Sequence, residues 1–68
     1  MYTGSANLII KEMQDKGFTA KQLGFGVVVS LNREISTAEV ETALNDAFQG
    51  ILFNLEKVNK NQVMIKGR

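Results

Sequence analysis

The chain has 68 residues, a net charge of +1, 44% hydrophobic and 22% charged residues, and neither histidine nor cysteine. Those two absences remove the commonest general base, the commonest thiol nucleophile, disulfides and the best transition-metal ligands. A chain this short forms one domain and buries only about 60% of the surface its unfolded form exposes, so self-association is the route left for extra burial.

The apolar content is too high for a disordered chain. Leu8-Ile9-Ile10 is the longest apolar stretch near the start, and charged residues follow it directly. It is far too short for a secretory signal or a membrane span, so a cytoplasmic protein without membrane attachment is expected. There is no internal repeat, low-complexity tract or linker.

The spacing predicts a helix over Ser5–Lys16, with Ser5 as its cap and Ile9 and Met13 on the buried side. Gly17 stands where a left-handed residue closes a helix, and Phe18 can then touch Met13, the Schellman pattern. From Phe18 to Leu23 the residues alternate, Phe18 and Ala20 against Thr19 and Lys21. Gly24-Phe25-Gly26 breaks the run. Val27-Val28-Val29-Ser30-Leu31 then reads as a β-branched strand, so the two segments form a hairpin turning at the glycines. Three apolar valines in a row imply cover on both faces.

Ser36-Thr37-Ala38-Glu39 fits the capping box. Ser36 accepts from the Glu39 amide, and the Glu39 carboxylate reaches back to the Ser36 amide. Ile35 and Val40 supply the matching hydrophobic staple. A helix therefore begins at Thr37, with Val40, Ala43, Leu44 and Ala47 facing inward. Two endings compete. Gly50 can stop the helix, leaving Ile51, Phe53, Leu55, Val63 and Ile65 as inward positions of a hairpin that turns at Asn59-Lys60-Asn61. Alternatively Val40, Leu44, Ala47, Ile51, Leu55 and Val58 form one helical stripe running through Gly50 at a cost of about 1 kcal/mol. The hairpin is preferred, because Ile-Leu-Phe after glycine is strand-like. The predicted fold is an α+β two-layer sandwich in the order α-β-β-α-β-β, with both helices on one face of a small antiparallel sheet.

Charge is sorted along the chain. Glu34 to Glu56 holds five acids and no base, whereas Lys57 to Arg68 holds four bases and no acid. Such sorting can be solvated surface with internal complementarity, or an acidic face and a basic face for partners.

Catalytic chemistry finds little support. Gly24-Phe25-Gly26 lacks the third glycine of a dinucleotide loop, which would fall at Val29. Glu39 and Asp46 share a helix face about 10 Å apart by helix rise, and nothing suggests a cleft between them. Ser5, Ser30 and Ser36 have no partner base. No catalytic residue, metal ligand, cofactor or small-molecule substrate is therefore expected.

The order helix, small element, capped helix and basic hairpin resembles winged-helix domains, and Thr19-Ala20-Lys21-Gln22-Leu23-Gly24 looks like the opening of a helix-turn-helix. The resemblance implies DNA binding through the helix from Thr37. A recognition helix lies among phosphates and carries Lys or Arg, but this one carries Glu39, Glu41 and Asp46 and no base. Val27-Val28-Val29 also interrupts the helix that the motif needs, so the chain is not assigned to that family. The alternative function that survives is a grip on a nucleic-acid backbone by Lys57, Lys60, Lys66 and Arg68 on the terminal hairpin.

Phe25, Phe48 and Phe53 are expected in the core. In the hairpin reading Val28, Leu52 and Met64 form an apolar patch on the sheet face away from the helices, which marks a partner site when exposed. The expected function is a non-enzymatic regulatory module acting through protein contacts. It pairs as a homodimer across Val28, Leu52 and Met64, and meets a basic protein surface with Glu39, Glu41 and Asp46. The chain has the size and style of accessory proteins from phages and mobile elements, a likeness that no motif carries.

Overall fold

The computed structural model describes residues 3–49 and 53–66, with side chains from residue 6 onward. Two helices, α1 (Thr3–Asp15) and α2 (Thr37–Ala47), pack on one face of a four-stranded antiparallel sheet. Its strands are β1 (Thr19–Leu23), β2 (Gly26–Ser30), β3 (Asn54–Asn59) and β4 (Gln62–Lys66). The element order is the one the sequence predicts. The lateral order is β1-β2-β4-β3. The two most apolar strands therefore sit in the middle, where neighbours cover both of their edges.

Alternation decides what each strand contributes. Val27, Val29, Val63 and Ile65 point toward the helices and are fully buried with Ala6, Ile9, Met13, Ile35, Val40 and Leu44. Residues one step along each strand, among them Val28 and Met64, point the other way and are not part of that cluster. A one-residue slip would exchange the two sets, so burial itself fixes the register.

Helix α1 closes as its sequence requires. Gly17 is left-handed (φ +96°), the Phe18 amide donates to the Met13 carbonyl at 2.9 Å, and the Gly17 amide donates to that of Gln14 at 3.0 Å. These are the two bonds of the Schellman motif, and Met13 and Phe18 are both buried beside them. The helix start differs from expectation. Ser5 lies inside α1 rather than at its cap. A lone serine is a weak start signal, and the position three residues on, where a capping box wants Glu or Gln, holds Leu8.

The β1–β2 hairpin turns through Gly24 and Phe25, with Leu23 paired to Gly26. Gly24 has φ +60°, the arrangement of a tight turn with glycine first. Phe25 is therefore a turn residue and not a core residue: its side chain is 86% exposed. Composition alone cannot separate these roles, because the turn places Phe25 beyond the end of the sheet.

The start of α2 follows the sequence with one change. The Glu39 amide donates to Ser36 Oγ at 3.1 Å, and the staple residues Ile35 and Val40 are buried. The Glu39 carboxylate, however, binds the Arg33 guanidinium in two places instead of the Ser36 amide. A two-pronged charged contact is the stronger of the two options. At the other end α2 stops at Ala47, before Gly50 and well short of Val58. The Phe48 amide still donates to Leu44 at 2.7 Å, but its backbone has left the helix. Its ring meets Phe53 edge to face at 6.0 Å, so aromatic packing turns the chain toward β3. Gly50, Ile51 and Leu52 lie outside the described residues, whereas Leu55, Val63 and Ile65 take the inward positions expected of a hairpin.

Replacing Ser36 with Ala is expected to lower stability by about 0.5–2 kcal/mol, because one helix-end amide loses its acceptor. Urea denaturation of both proteins measures this, and an unchanged midpoint would mean that Ser36 does not support α2.

Candidate functional site

The loop from Leu31 to Ser36 and the β3–β4 turn are tied together. The Ile35 amide donates to the Lys60 carbonyl at 3.0 Å, and the Leu31 amide to the Asn61 carbonyl at 3.3 Å. Asn61 Nδ2 donates to the Leu31 carbonyl at 3.0 Å, and Lys57 Nζ donates to that of Ile35. The turn is itself braced: the Asn61 amide donates to Asn59 Oδ1 at 3.1 Å, and Asn59 Nδ2 to Gln62 Oε1 at 2.7 Å. A bulge around Val58 separates Lys57 from Asn59.

This lock disperses the basic residues of the terminal hairpin. Lys57 pairs with the inward-facing Val63 and reaches the loop before α2. Lys66 projects from the opposite sheet face and pairs with Glu56 at 2.6 Å. Lys60 is exposed in the turn, and Arg68 lies outside the described residues. The structure thus separates Lys57 from Lys66 rather than bringing them to one surface.

The expected acidic face is also redistributed. Asp46 on α2 pairs with Lys16 at the end of α1 at 2.8 Å, and Glu39 pairs with Arg33. Of the three acids expected to meet a partner, only Glu41 makes no ion pair among the described residues. Each of the three pairs joins an acid between Glu34 and Glu56 to a base outside that stretch. Charges sorted along the sequence thus complement one another in space.

The helix-free sheet face is built in three rows by the strand register. The middle row runs Lys21, Val28, Met64, Glu56 from β1 to β3. On one side lies Leu23, Gly26, Lys66, Asn54, and on the other Thr19, Ser30, Gln62, Asn59. Val28 is only 7% exposed although no helix covers it, so it adds almost nothing to the expected apolar patch. Met64 is half-buried. Gly26 makes room for it: a Cβ there would lie 3.4 Å from Met64 Cγ and 2.9 Å from the Ile65 carbonyl oxygen. Leu52, the third expected member, lies outside the described residues.

What sequence reasoning missed is the tip beside this face, where Leu23 is 58% exposed and Phe25 more so. The Gly-X turn was its available signal, since the second residue of a two-residue loop leaves the sheet. An open groove between the end of α1 and the outer side of α2, about 530 Å³, is lined by Lys16, Phe18, Ala43 and Asp46 among others. The Lys16–Asp46 pair spans it. No group of three or more acidic side chains converges as a metal site among the described residues. No helix there is long and apolar enough to cross a membrane.

The chain matches no family model, no curated protein and no solved structure. Its surface is therefore the basis for a functional reading.

Three carboxyls are held below their usual range, each first by a hydrogen bond from its basic partner: Glu39 by Arg33, Asp46 by Lys16 and Glu56 by Lys66. A lowered folded pKa stabilises the fold above the unfolded value, and that stability is lost as pH falls through the folded value. Lys16 is raised above 10.5 by the Asp46 hydrogen bond, so its share is lost only as pH rises past that value. The melting temperature is expected to be level near neutrality and to fall on acidification below about pH 4, less steeply in high salt. A melting temperature unchanged down to pH 2 would contradict these pairings.

Proposed function

We propose that this chain is a small cytoplasmic interaction module that acts by protein contact, as a homodimer, and not by turning over a substrate. The observation that carries this reading is the β1–β2 tip. Phe25 is held out in water on a tight turn, with Leu23 beside it, at the margin of a sheet face that no helix covers. Exposing a large aromatic ring forgoes about 1.5–3 kcal/mol of burial, which contact with another protein recovers. The half-buried Met64 extends the same apolar surface. On this reading the contact residues are Phe25, Leu23 and Met64, while Glu41 is the acid of α2 that meets a basic partner surface.

Nucleic-acid binding gains no support from the placement of the bases, because Lys57 and Lys66 serve opposite faces of the sheet.

Sedimentation equilibrium of the wild type, Phe25→Asp and Met64→Glu tests the reading. Wild type is expected to associate with rising concentration. Phe25→Asp is expected to stay folded, since the side chain is exposed, and to lose most of that association. Met64→Glu is expected to give monomer. A wild type that stays monomeric would contradict the homodimer. DNA binding that falls steeply with salt and disappears on joint neutralisation of Lys57, Lys60, Lys66 and Arg68 would instead move the function to nucleic acid.

A further inference from the structure

We propose that the helix-free sheet face is self-complementary: a second copy of the chain packs on it about a two-fold axis parallel to the strands, setting Lys21 of each copy against Glu56 of the other. This rests on the homodimer reading above and specifies its geometry.

The middle row of that face supports this pairing. It carries a cation on one edge strand, an anion on the other, and Val28 and Met64 between them. Lys21 and Glu56 stand three strand spacings apart, about 14 Å, too far to pair within one chain. Turning a copy over about an axis along the strands lays its β1 on β3 of the first while keeping each row on itself. Lys21 then faces Glu56 twice, and Val28 crosses Met64. The Lys66 ammonium already contacts Glu56 Oε2, and a carboxylate has lone pairs for a second cation.

In the flanking rows the same turn brings Leu23 of each copy over Asn54 of the other. Lys66 of one copy comes over Gly26 of the other, beside the Met64 side chain that Gly26 accommodates. In the remaining row Ser30 meets Gln62 and Thr19 meets Asn59, each a donor set facing an acceptor set. The other two-fold axis available to a face-to-face pair runs across the strands. It would set Lys21 against Lys21 and Glu56 against Glu56, which repel. Either axis gives aligned sheet packing, with strands within about 30° of one another, so the charges decide between them. The pairing is isologous, so it closes as a dimer rather than growing into a filament. The face measures about 14 by 16 Å, smaller than a standard interface, so the dimer is reversible and its charges weigh heavily in its affinity.

Sedimentation equilibrium at low salt on Lys21→Glu, Glu56→Lys and their equimolar mixture tests the geometry, with circular dichroism to check folding. Each variant alone opposes like charges twice, and its dissociation constant is expected to rise about tenfold or more over wild type. In the mixture the reversed charges match again, so a heterodimer of wild-type affinity is expected. Variants that each dimerise like wild type would overturn the Lys21–Glu56 pairing while leaving the homodimer intact. If they do so and the mixture binds more tightly than wild type, the axis runs across the strands. A monomeric wild type would overturn both readings. Should Glu56→Lys unfold beside Lys66, Glu56→Gln replaces it and is expected to weaken the wild-type dimer.

Discussion

The fold depends on how the chain is held at Ile35. Its side chain is buried under α2 and forms the staple with Val40. Its amide donates to Lys60 and its carbonyl accepts from Lys57. The next residue, Ser36, caps α2. One residue thus places the second helix, anchors the β3–β4 turn and closes the end of the core nearest that turn. Burying such a side chain contributes about 1.5–3 kcal/mol, and the two polar groups of its backbone would otherwise be left without partners near the core. A chain without cysteine needs such a junction, because each half alone is a helix with a hairpin, and a hairpin alone is marginal.

This constraint also shapes the surface. Tying the turn to the loop before α2 directs Lys57 to the helix side of the sheet, while alternation leaves Glu56 and Lys66 on the open side. The acids of α2 are drawn into pairs with Arg33 and Lys16. The electrostatic features that look like partner sites along the sequence are thereby largely satisfied within the chain. Among the described residues the apolar hairpin tip stays exposed, and the open sheet face carries Lys21 at one edge and the Glu56–Lys66 pair toward the other. On the proposed reading both are contact surfaces.

Local signals made much of the fold legible. Gly17-Phe18 after Met13 and Ser36 before Glu39 each name a short-range backbone bond that forms, and the Ile35–Val40 spacing names two residues that are both buried. The element order follows from them and from strand alternation. The failures are tertiary. Glu39 was free to choose between the Ser36 amide and Arg33, and spacing shows only the first. Helix α2 ends at Ala47 with Phe48 packed on Phe53, a contact between residues that helical periodicity does not report. The Ile35–Lys60 and Lys16–Asp46 contacts join residues far apart in the chain, where no periodicity reports them. The candidate site is less legible than the fold: Val28 and Met64 lie on the expected face, but their exposure depends on neighbours across the sheet, and Phe25, expected in the core, stands in the turn.

Native-state hydrogen exchange at the Ile35 and Leu31 amides tests the central role of this junction most directly. Both lie in a loop outside regular structure, yet both donate to the β3–β4 turn. If the junction holds the fold together, they exchange only through global unfolding, with the same opening free energy as the central-strand amides of Val27 and Ile65. Exchange through a low-energy local opening, with the sheet still protected, would contradict the account and reduce the junction to an ordinary surface loop.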